Sequence, residues 1–258
     1  MFLGLDVGNT NITVGCFNKD ELVHTWRIST DQSLTPDELG IKLRSLLLAS
    51  GVEPEELTDA VISSVVPYLN KNLQGGLDRY LGVFPTFLKP VGNGVVGLNV
   101  EEPDAVGPDR VANVIGGMDI YGGPGLVIDF GTATSFELYS KEGDFLGGAI
   151  APEMETALEA LVERAALLPE VELELPDSVI GKTSAANMNS GFVLGFIGMI
   201  EGLIERFQDE FDSDLRVIAT GGKGRLFFRQ IDQIKHYEKD LVLEGLKLWR
   251  KKTKDKPS

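Results

Sequence analysis

Asp6-Val-Gly-Asn-Thr-Asn11 and Asp129-Phe-Gly-Thr-Ala-Thr134 are two versions of one pattern, 123 positions apart. Each closes an apolar run, Phe2 to Asp6 in the first case and Leu126 to Asp129 in the second. Each is followed by a second apolar segment, Ile12 to Phe17 or Ser135 to Tyr139. A turn then comes in both, Asn18-Lys19-Asp20 or Lys141-Glu142-Gly143-Asp144. A third segment follows, Leu22 to Ile28 in one copy and a run toward Gly147-Gly148 in the other. A repeat at this spacing is too long for a solenoid. It predicts two similar domains, each opening with a strand, a Gly/Thr-rich hairpin and a second strand.

Working outward, Thr35 to Ser50 reads as a helix, with Pro36 at its start and a stripe of Leu39, Leu43 and Leu46-Leu47. Ala60 to Val66 is a short buried strand. Tyr68 to Leu81 reads as a helix although Gly75-Gly76 weakens it, and Phe84 to Leu88 is another strand. In the second half, Met154 to Ala166 is helical, and Thr183 to Phe211 holds a long helix or a broken pair. Arg216 to Thr220 is a strand stopped by Gly221-Gly222. A last helix spans Leu241 to Lys251, and the tail Thr253 to Ser258 is expected to fray. Strands alternating with helices argue for α/β layers. The seam is expected near 116–125. The domains are then 1–118 and 119–258, with the last helix a candidate to return to the first.

Hydrophobic residues make up 43% and charged residues 24% of the 258, enough for a real core. The 30 glycines cluster at the ends of apolar runs, where turns and ligand loops are built. The net charge of -15 disfavours nucleic acid and anionic membranes as partners. The single cysteine, Cys16, rules out an intrachain disulfide and a cysteine-rich metal site, and reads as core filler. The N-terminus reads as a strand rather than a secretion signal, so the expected location is the cytoplasm. The longest apolar stretch, Gly191 to Ile200, is too short to span a bilayer and runs into Glu201 and Glu205.

Phosphate sits well against backbone amides in a tight glycine turn, with hydroxyls adding hydrogen bonds. Gly8 and Gly131 permit such turns. Asn9, Thr10, Asn11, Thr132 and Thr134 surround them with donors. Asp6 and Asp129 repel phosphate, so their natural work is to hold a cation or its water shell. One such hairpin alone would read as an ordinary structural turn. The matched pair points to a nucleoside triphosphate. Gly221-Gly222 offers side-chain-free backbone that suits adenine or ribose, although Gly-Gly after a strand is also an ordinary turn. Neither a lysine-bearing phosphate loop nor a dinucleotide fingerprint occurs.

Gly107-Pro-Asp109-Arg110 precedes an apolar helix containing Val111, Val114 and Ile115. Asp109 reads either as a helix cap or as the group that orients and deprotonates an acceptor hydroxyl. Arg110 reads either as a ligand for a carboxylate or phosphoryl group, or as half of a structural ion pair. Gly191, Gly195, Gly198 and Gly202 recur at helical spacing and allow another helix to come close, from a second copy or from the same chain.

These motifs resemble those of the bacterial type III pantothenate kinases. Gly147-Gly-Ala-Ile-Ala-Pro152, Gly181-Lys-Thr183 and Thr220-Gly-Gly222 look like further signatures of that family, and the resemblance covers nearly the whole chain. It implies the actin-like ATPase fold, with duplicated ribonuclease-H-like domains. It also implies a homodimer that phosphorylates pantothenate with ATP, the first step of coenzyme A synthesis. Mg²⁺ and a monovalent cation, K⁺ or NH₄⁺, would accompany the nucleotide. On this resemblance Asp6 serves the metal and phosphate end, Asp129 the cation site and Asp109 acts as general base. Gly107 and Arg110 bind the acceptor, and Thr183 approaches the partner subunit's substrate pocket. The competing readings are a kinase for another hydroxylated acceptor and a silent, nucleotide-binding regulatory homolog. The chain departs from the pattern in places. Leu98 to Val106 is short and lacks an aromatic, and Ser135 and Glu137 replace the usual threonine and aspartate. Glu153 stands where glycine is usual, which would strain a left-handed backbone there.

Overall fold

A computed structural model describes the chain except residues 166, 212 and 255–258. In order, the first elements are β1 (Phe2–Val7), β2 (Asn11–Asn18), β3 (Glu21–Ser29), α1 (Pro36–Ala49), β4 (Asp59–Ser64), α2 (Asn70–Leu81), β5 (Pro85–Phe87) and α3 (Pro108–Tyr121). Then come β6 (Gly125–Phe130), β7 (Ala133–Tyr139), β8 (Phe145–Pro152), α4 (Met154–Arg164), α5 (Ser184–Asn189) and α6 (Gly195–Phe211). The last are β9 (Arg216–Thr220), α7 (Gly224–Phe228), β10 (His236–Tyr237) and α8 (Leu241–Lys254).

The chain forms two compact units. One holds Met1–Tyr121, Gly143–Leu146 and the stretch from Asp240 onward; the other holds Gly122–Glu142 and Gly147–Lys239. The sheets run β3-β2-β1-β4-β5 and β10-β9-β6-β7-β8. Exchanging β1 for β6, β2 for β7, β3 for β8, β4 for β9 and β5 for β10 converts one order into the other. The repeat read from the two aspartate hairpins is therefore a repeat of topology. In both sheets the central strand pairs antiparallel with its hairpin partner and parallel with the later strand.

In the first unit, alternation along the strands sorts side chains between two helical layers. Leu3, Leu5, Val7, Ile12, Val14 and Cys16 pack with Leu39, Leu43 and Leu47 of α1 and Leu73 and Leu77 of α2. Cys16 is core filler, as its apolar surroundings predict. α1 starts at a capping box between Thr35 and Glu38. The expected 68–81 helix resolves into a tight turn at Pro67–Leu69 followed by α2. Gly76, the residue that weakened the helical reading, lies where α1 closes on α2. A Cβ there would stand 2.7 Å from the Pro36 carbonyl oxygen.

The opposite face of this sheet, carrying Phe2, Gly4 and Asp6, meets α8. Leu243 and Leu246 lie over Gly4. Arg250 stacks on the Phe2 ring at 4.1 Å and bonds both Asp59 oxygens at 3.0 Å. α3 lies along α8, where Gly245 sits directly against the Ala112 backbone. α8 runs to Lys254, past the expected end at Lys251. Thr253 is helical rather than frayed, its hydroxyl donating to the Trp249 carbonyl at 2.8 Å. Residues 255–258 of the expected tail, and the expected helix end at Ala166, lie outside the described residues.

In the second unit, Leu126, Ile128, Phe130 and Phe136 pack with Met154, Val193, Phe196, Ile200, Ile204 and Phe227. Of the two alternatives for 183–211 the long helix holds, with an irregular turn inside it. α5 and α6 are joined through a π-helical turn at Ser190–Leu194 into one 28-residue helix, Ser184–Phe211. By length and composition alone this helix could cross a membrane, which the apolar run 191–200 by itself could not. Its Val193, Phe196, Ile200 and Ile204 are committed to the core.

Gly245→Ala should lower stability by about 1–3 kcal/mol through overpacking against Ala112, outweighing alanine's helix preference of about 1 kcal/mol. A lower urea midpoint at unchanged m-value checks this.

Candidate active site

The first hairpin follows β1. The Gly8 N–H donates to the Asn11 carbonyl at 3.0 Å, so this amide holds the turn shut and leaves Asn9 and Thr10 at its exposed tip. Thr30, just past β3, braces the turn: its hydroxyl donates to the Gly8 carbonyl at 2.6 Å and its N–H to the Thr10 carbonyl at 2.9 Å. The second hairpin repeats the closure. The Gly131 N–H donates to the Ala133 carbonyl at 3.1 Å, and Thr132 and Ala133 form the exposed tip. Thr134 lies one step inside. It is fully buried, in register with Phe130 on the core face, and its hydroxyl has no hydrogen-bond partner among the described residues.

Strand register shows what the letters alone do not. Asp6 stands opposite Thr13 on β2 and Ser63 on β4. Asp129 stands opposite Ser135 on β7 and Thr220 on β9. Each aspartate thus ends a central strand between two hydroxyl side chains on its own face. Glu137, two residues along β7 from Ser135 and so on the same face, is fully buried. Thr13, Ser63 and Thr30 were not anticipated from sequence. Only the pairing of distant strands brings Ser63 to Asp6.

Asp109 reaches the same end of the first sheet by another route. The Val65 N–H, just past β4, bonds the Val7 carbonyl at 3.0 Å, and Gly107 lies against Val65. Pro108 opens α3, which places Asp109 at the second helical position instead of at the cap. Its Oδ1 accepts the Arg110 N–H at 2.9 Å and folds back over Gly107, filling the space a Cβ at 107 would need. Burial pushes the Asp109 carboxyl above its ordinary value, against the lowering effects of the Arg110 N–H and the Arg110 charge. The Arg110 guanidinium rests on the Phe145 ring at 5.1 Å. The segment before Gly107 lacks an aromatic, but a neighbouring strand brings one to Arg110. That segment folds as a bridge of Leu98 with Phe145 and a short turn at Pro103–Ala105.

In the second unit the Thr220–Gly221–Gly222 loop abuts the Asp129 hairpin. Gly221 has φ +84°, and a Cβ there would lie 2.7 Å from Asp129 Oδ1 and 2.6 Å from the Phe130 carbonyl oxygen. Only glycine meets both demands. Gly222 is exposed. Glu153 is not left-handed: with φ −70° and ψ 150° it caps α4, accepting the Glu155 and Thr156 N–H groups at 2.9 and 3.3 Å. The expected strain is therefore absent. Thr183 caps α5, its hydroxyl oxygen accepting the Ala186 N–H at 3.1 Å, and the residue is exposed.

Among the described residues, no three His, Cys, Asp or Glu side chains gather into a metal cage. The donors at Asp6 are one carboxylate with two flanking hydroxyls, and the Ser63 hydroxyl is fully buried without a hydrogen-bond partner among the described residues. Such a set fits a Mg²⁺ that arrives on phosphates and keeps several of its waters.

The type III pantothenate kinase family model matches residues 2–206. A type III pantothenate kinase from Moorella thermoacetica is 42% identical over 248 residues, covering 96% of this chain and 98% of its own. Among solved structures, a Campylobacter jejuni protein described as a Baf family transcriptional activator superposes with a TM-score of 0.63 at 16% identity, covering 98% of this chain and 100% of its own. A ROK hexokinase from Thermus thermophilus gives 0.51 at 14% identity, covering 99% of each chain. These structural likenesses show the fold, which is the actin-like, sugar-kinase-like α/β architecture with a duplicated sheet. With the family model matched across most of its length, and a relative this similar from end to end, the chain belongs to the type III pantothenate kinase family.

Proposed function

We propose that the chain transfers the γ-phosphoryl group of ATP to pantothenate, giving 4'-phosphopantothenate, the first step of coenzyme A synthesis. The geometric observation that carries this reading is Asp109. It is a carboxylate in the first turn of a buried helix, at the sheet end where Asp6 stands, with its proton affinity raised by burial. Phosphoryl transfer asks for positioning and charge neutralisation more than for covalent chemistry. The acceptor hydroxyl oxygen forms the new bond to the γ-phosphorus. The bridging oxygen leaves with ADP, and the hydroxyl proton passes to the Asp109 carboxylate. Gly107 leaves the space in which that carboxylate is held. Arg110, steadied on Phe145, takes the pantothenate carboxylate.

Gly8, Asn9, Thr10 and Asn11, with Gly131, Thr132 and Thr134, serve the phosphates, and Gly221 and Gly222 serve the nucleoside. Mg²⁺ supplies charge neutralisation on the phosphates, and Asp6 with Ser63 and Thr13 holds its water shell. Asp129, between Ser135 and Thr220, belongs to the K⁺ or NH₄⁺ site. The working form is a cytoplasmic homodimer in which Thr183 of one copy serves the acceptor pocket of the other. In support of a dimer, a Cβ at Gly191, Gly195 or Gly198 would meet no atom within 4 Å. Gly202, the fourth glycine of the stripe, lies against Arg206 of its own helix, so the open part of the stripe is the first three.

Incubation with ATP, Mg²⁺ and K⁺ should release ADP only when pantothenate is present, with phosphopantothenate as the product. Pantothenate-independent hydrolysis, or none at all by folded protein, would sink this reading. Asp109→Asn should lower kcat by about 10²–10⁴-fold and yet raise the melting temperature at neutral pH. The fold disfavours the Asp109 charge, so the native state is best supported below the unfolded-state pKa and loses ground as pH rises through the raised native one. The gain in melting temperature should therefore disappear in acid. A variant less stable at neutral pH would contradict that. Gly107→Ala, which takes the space of the Asp109 carboxylate, should cost about 10²-fold in kcat with the nucleotide affinity retained in a binding titration.

A further inference from the structure

We propose that Glu153 and Lys223 form a clamp that fixes the Gly221–Gly222 loop and thereby sets the affinity for the nucleotide. The proposal rests on the nucleotide role given to that loop above. Lys223 directly follows the two glycines. Its Nζ reaches Glu153 Oε1 and Glu155 Oε2, each at 2.7 Å. Lys223 comes from the end of β9, while Glu153 comes from the end of β8, and β6 and β7 lie between those strands in the sheet. The ion pair therefore spans the two strands that carry Asp129 and the Gly131–Ala133 turn. The loop is fixed from two sides: by the Asp129 and Phe130 atoms against Gly221, and by the Lys223 tether.

This is not an ordinary surface pair, whose worth is small because two long side chains must be ordered at once. The Glu153 side chain is 7% exposed and already held by two N–H groups of the first turn of α4. In the Glu153 pair only Lys223, 34% exposed, has freedom left to lose, while Glu155, 58% exposed, forms the more ordinary surface arm. Burial works to lower the Lys223 pKa, but the hydrogen bonds to Glu153 and Glu155 outweigh it and the net shift is upward, so the ammonium stays charged. α7, which begins one residue later, is a five-residue helix anchored by Phe227, which is buried and stacked on Phe130 at 4.6 Å, so it fixes the chain beyond Lys223. Gly222 is exposed and has no side chain to anchor it. The Gly221 carbonyl also accepts the Gly224 N–H at 3.3 Å and the Tyr237 hydroxyl at 3.5 Å, and the tether adds the charged attachment on that side of the loop.

The test uses the full chain and two variants that each remove one charge. Lys223→Met leaves the Glu153 cap in place. Glu153→Gln keeps an oxygen for the α4 N–H groups, so α4 stays capped. The probe is a fluorescent ADP analogue, titrated directly, beside steady-state kinetics in ATP and in pantothenate. Lys223→Met should weaken ADP binding and raise KM for ATP about tenfold, and Glu153→Gln, which leaves the Glu155 pair, should shift both in the same direction by less, with kcat at saturating ATP and KM for pantothenate retained. The double variant should be no weaker than Lys223→Met alone, because that variant already removes the Glu153 contact. Lys223→Arg, which can still reach both carboxylates, should restore ADP affinity. A merely structural pair would lower the melting temperature and leave the split between the two KM values unchanged. ADP affinity equal to wild type in Lys223→Met, or strictly additive losses in the double variant, overturns the clamp alone. Wild-type protein that binds no nucleotide overturns the clamp together with the nucleotide reading of the loop.

Discussion

A carboxylate at the end of a buried central strand has to be kept in polar company, because a charge withdrawn from water without partners is costly. The rest of this structure follows from how that demand is met twice. At Asp6 and again at Asp129, the neighbouring strands each present a hydroxyl residue on the same face, although the Ser63 hydroxyl makes no hydrogen bond among the described residues. The chain then turns at once through a glycine-led hairpin, so the carboxylate stands at the mouth of the sheet instead of under it. A hydroxyl can donate to a carboxylate or accept from a metal-bound water, so the same flank serves an aspartate alone or an aspartate with a hydrated ion.

The duplication was legible because it was written in local chemistry: Asp, Gly and Thr in fixed order, with alternating apolar segments on both sides. The strand–helix alternation gave the layers. The flanking hydroxyls were not legible, because Thr13 and Ser63 sit in otherwise apolar strands and read as filler until the register is known. The register of parallel β1 and β4 depends on a crossover through α1, which no local pattern encodes. The 184–211 helix was ambiguous for a different reason. Its middle turn is π-helical, and a π-turn shifts the apolar stripe around the axis without breaking the helix.

Two of the readings shifted on backbone detail. Asp109 could be a cap or a reactive group while only its place near a helix start was known. Pro108 at the first helical position puts the cap on Gly107, so Asp109 is not the N-cap residue. The carboxylate accepts the first-turn Arg110 N–H and turns back over the glycine. Glu153 shows the reverse case. A glutamate in a glycine's place suggested strain, yet its backbone is extended and its side chain does the capping itself.

Glycine therefore does two unlike things at the candidate site. At Gly107 it yields space to a neighbouring carboxylate, and at Gly221 it lets the backbone close on Asp129 with a positive φ. Neither use fixes the chain; each permits a contact and leaves the segment with more conformational freedom in the unfolded state to lose. That freedom has to be offset by neighbours. Around Gly107 the offset comes from α3 lying along α8. Around Gly221 and Gly222 the following helix is a single turn and a half, so the offset falls to side chains. A lysine drawn to a pre-ordered, buried glutamate is the economical way to supply it. This is why the Glu153–Lys223 pair belongs to the physics of the glycine loop and not to the decoration of the surface.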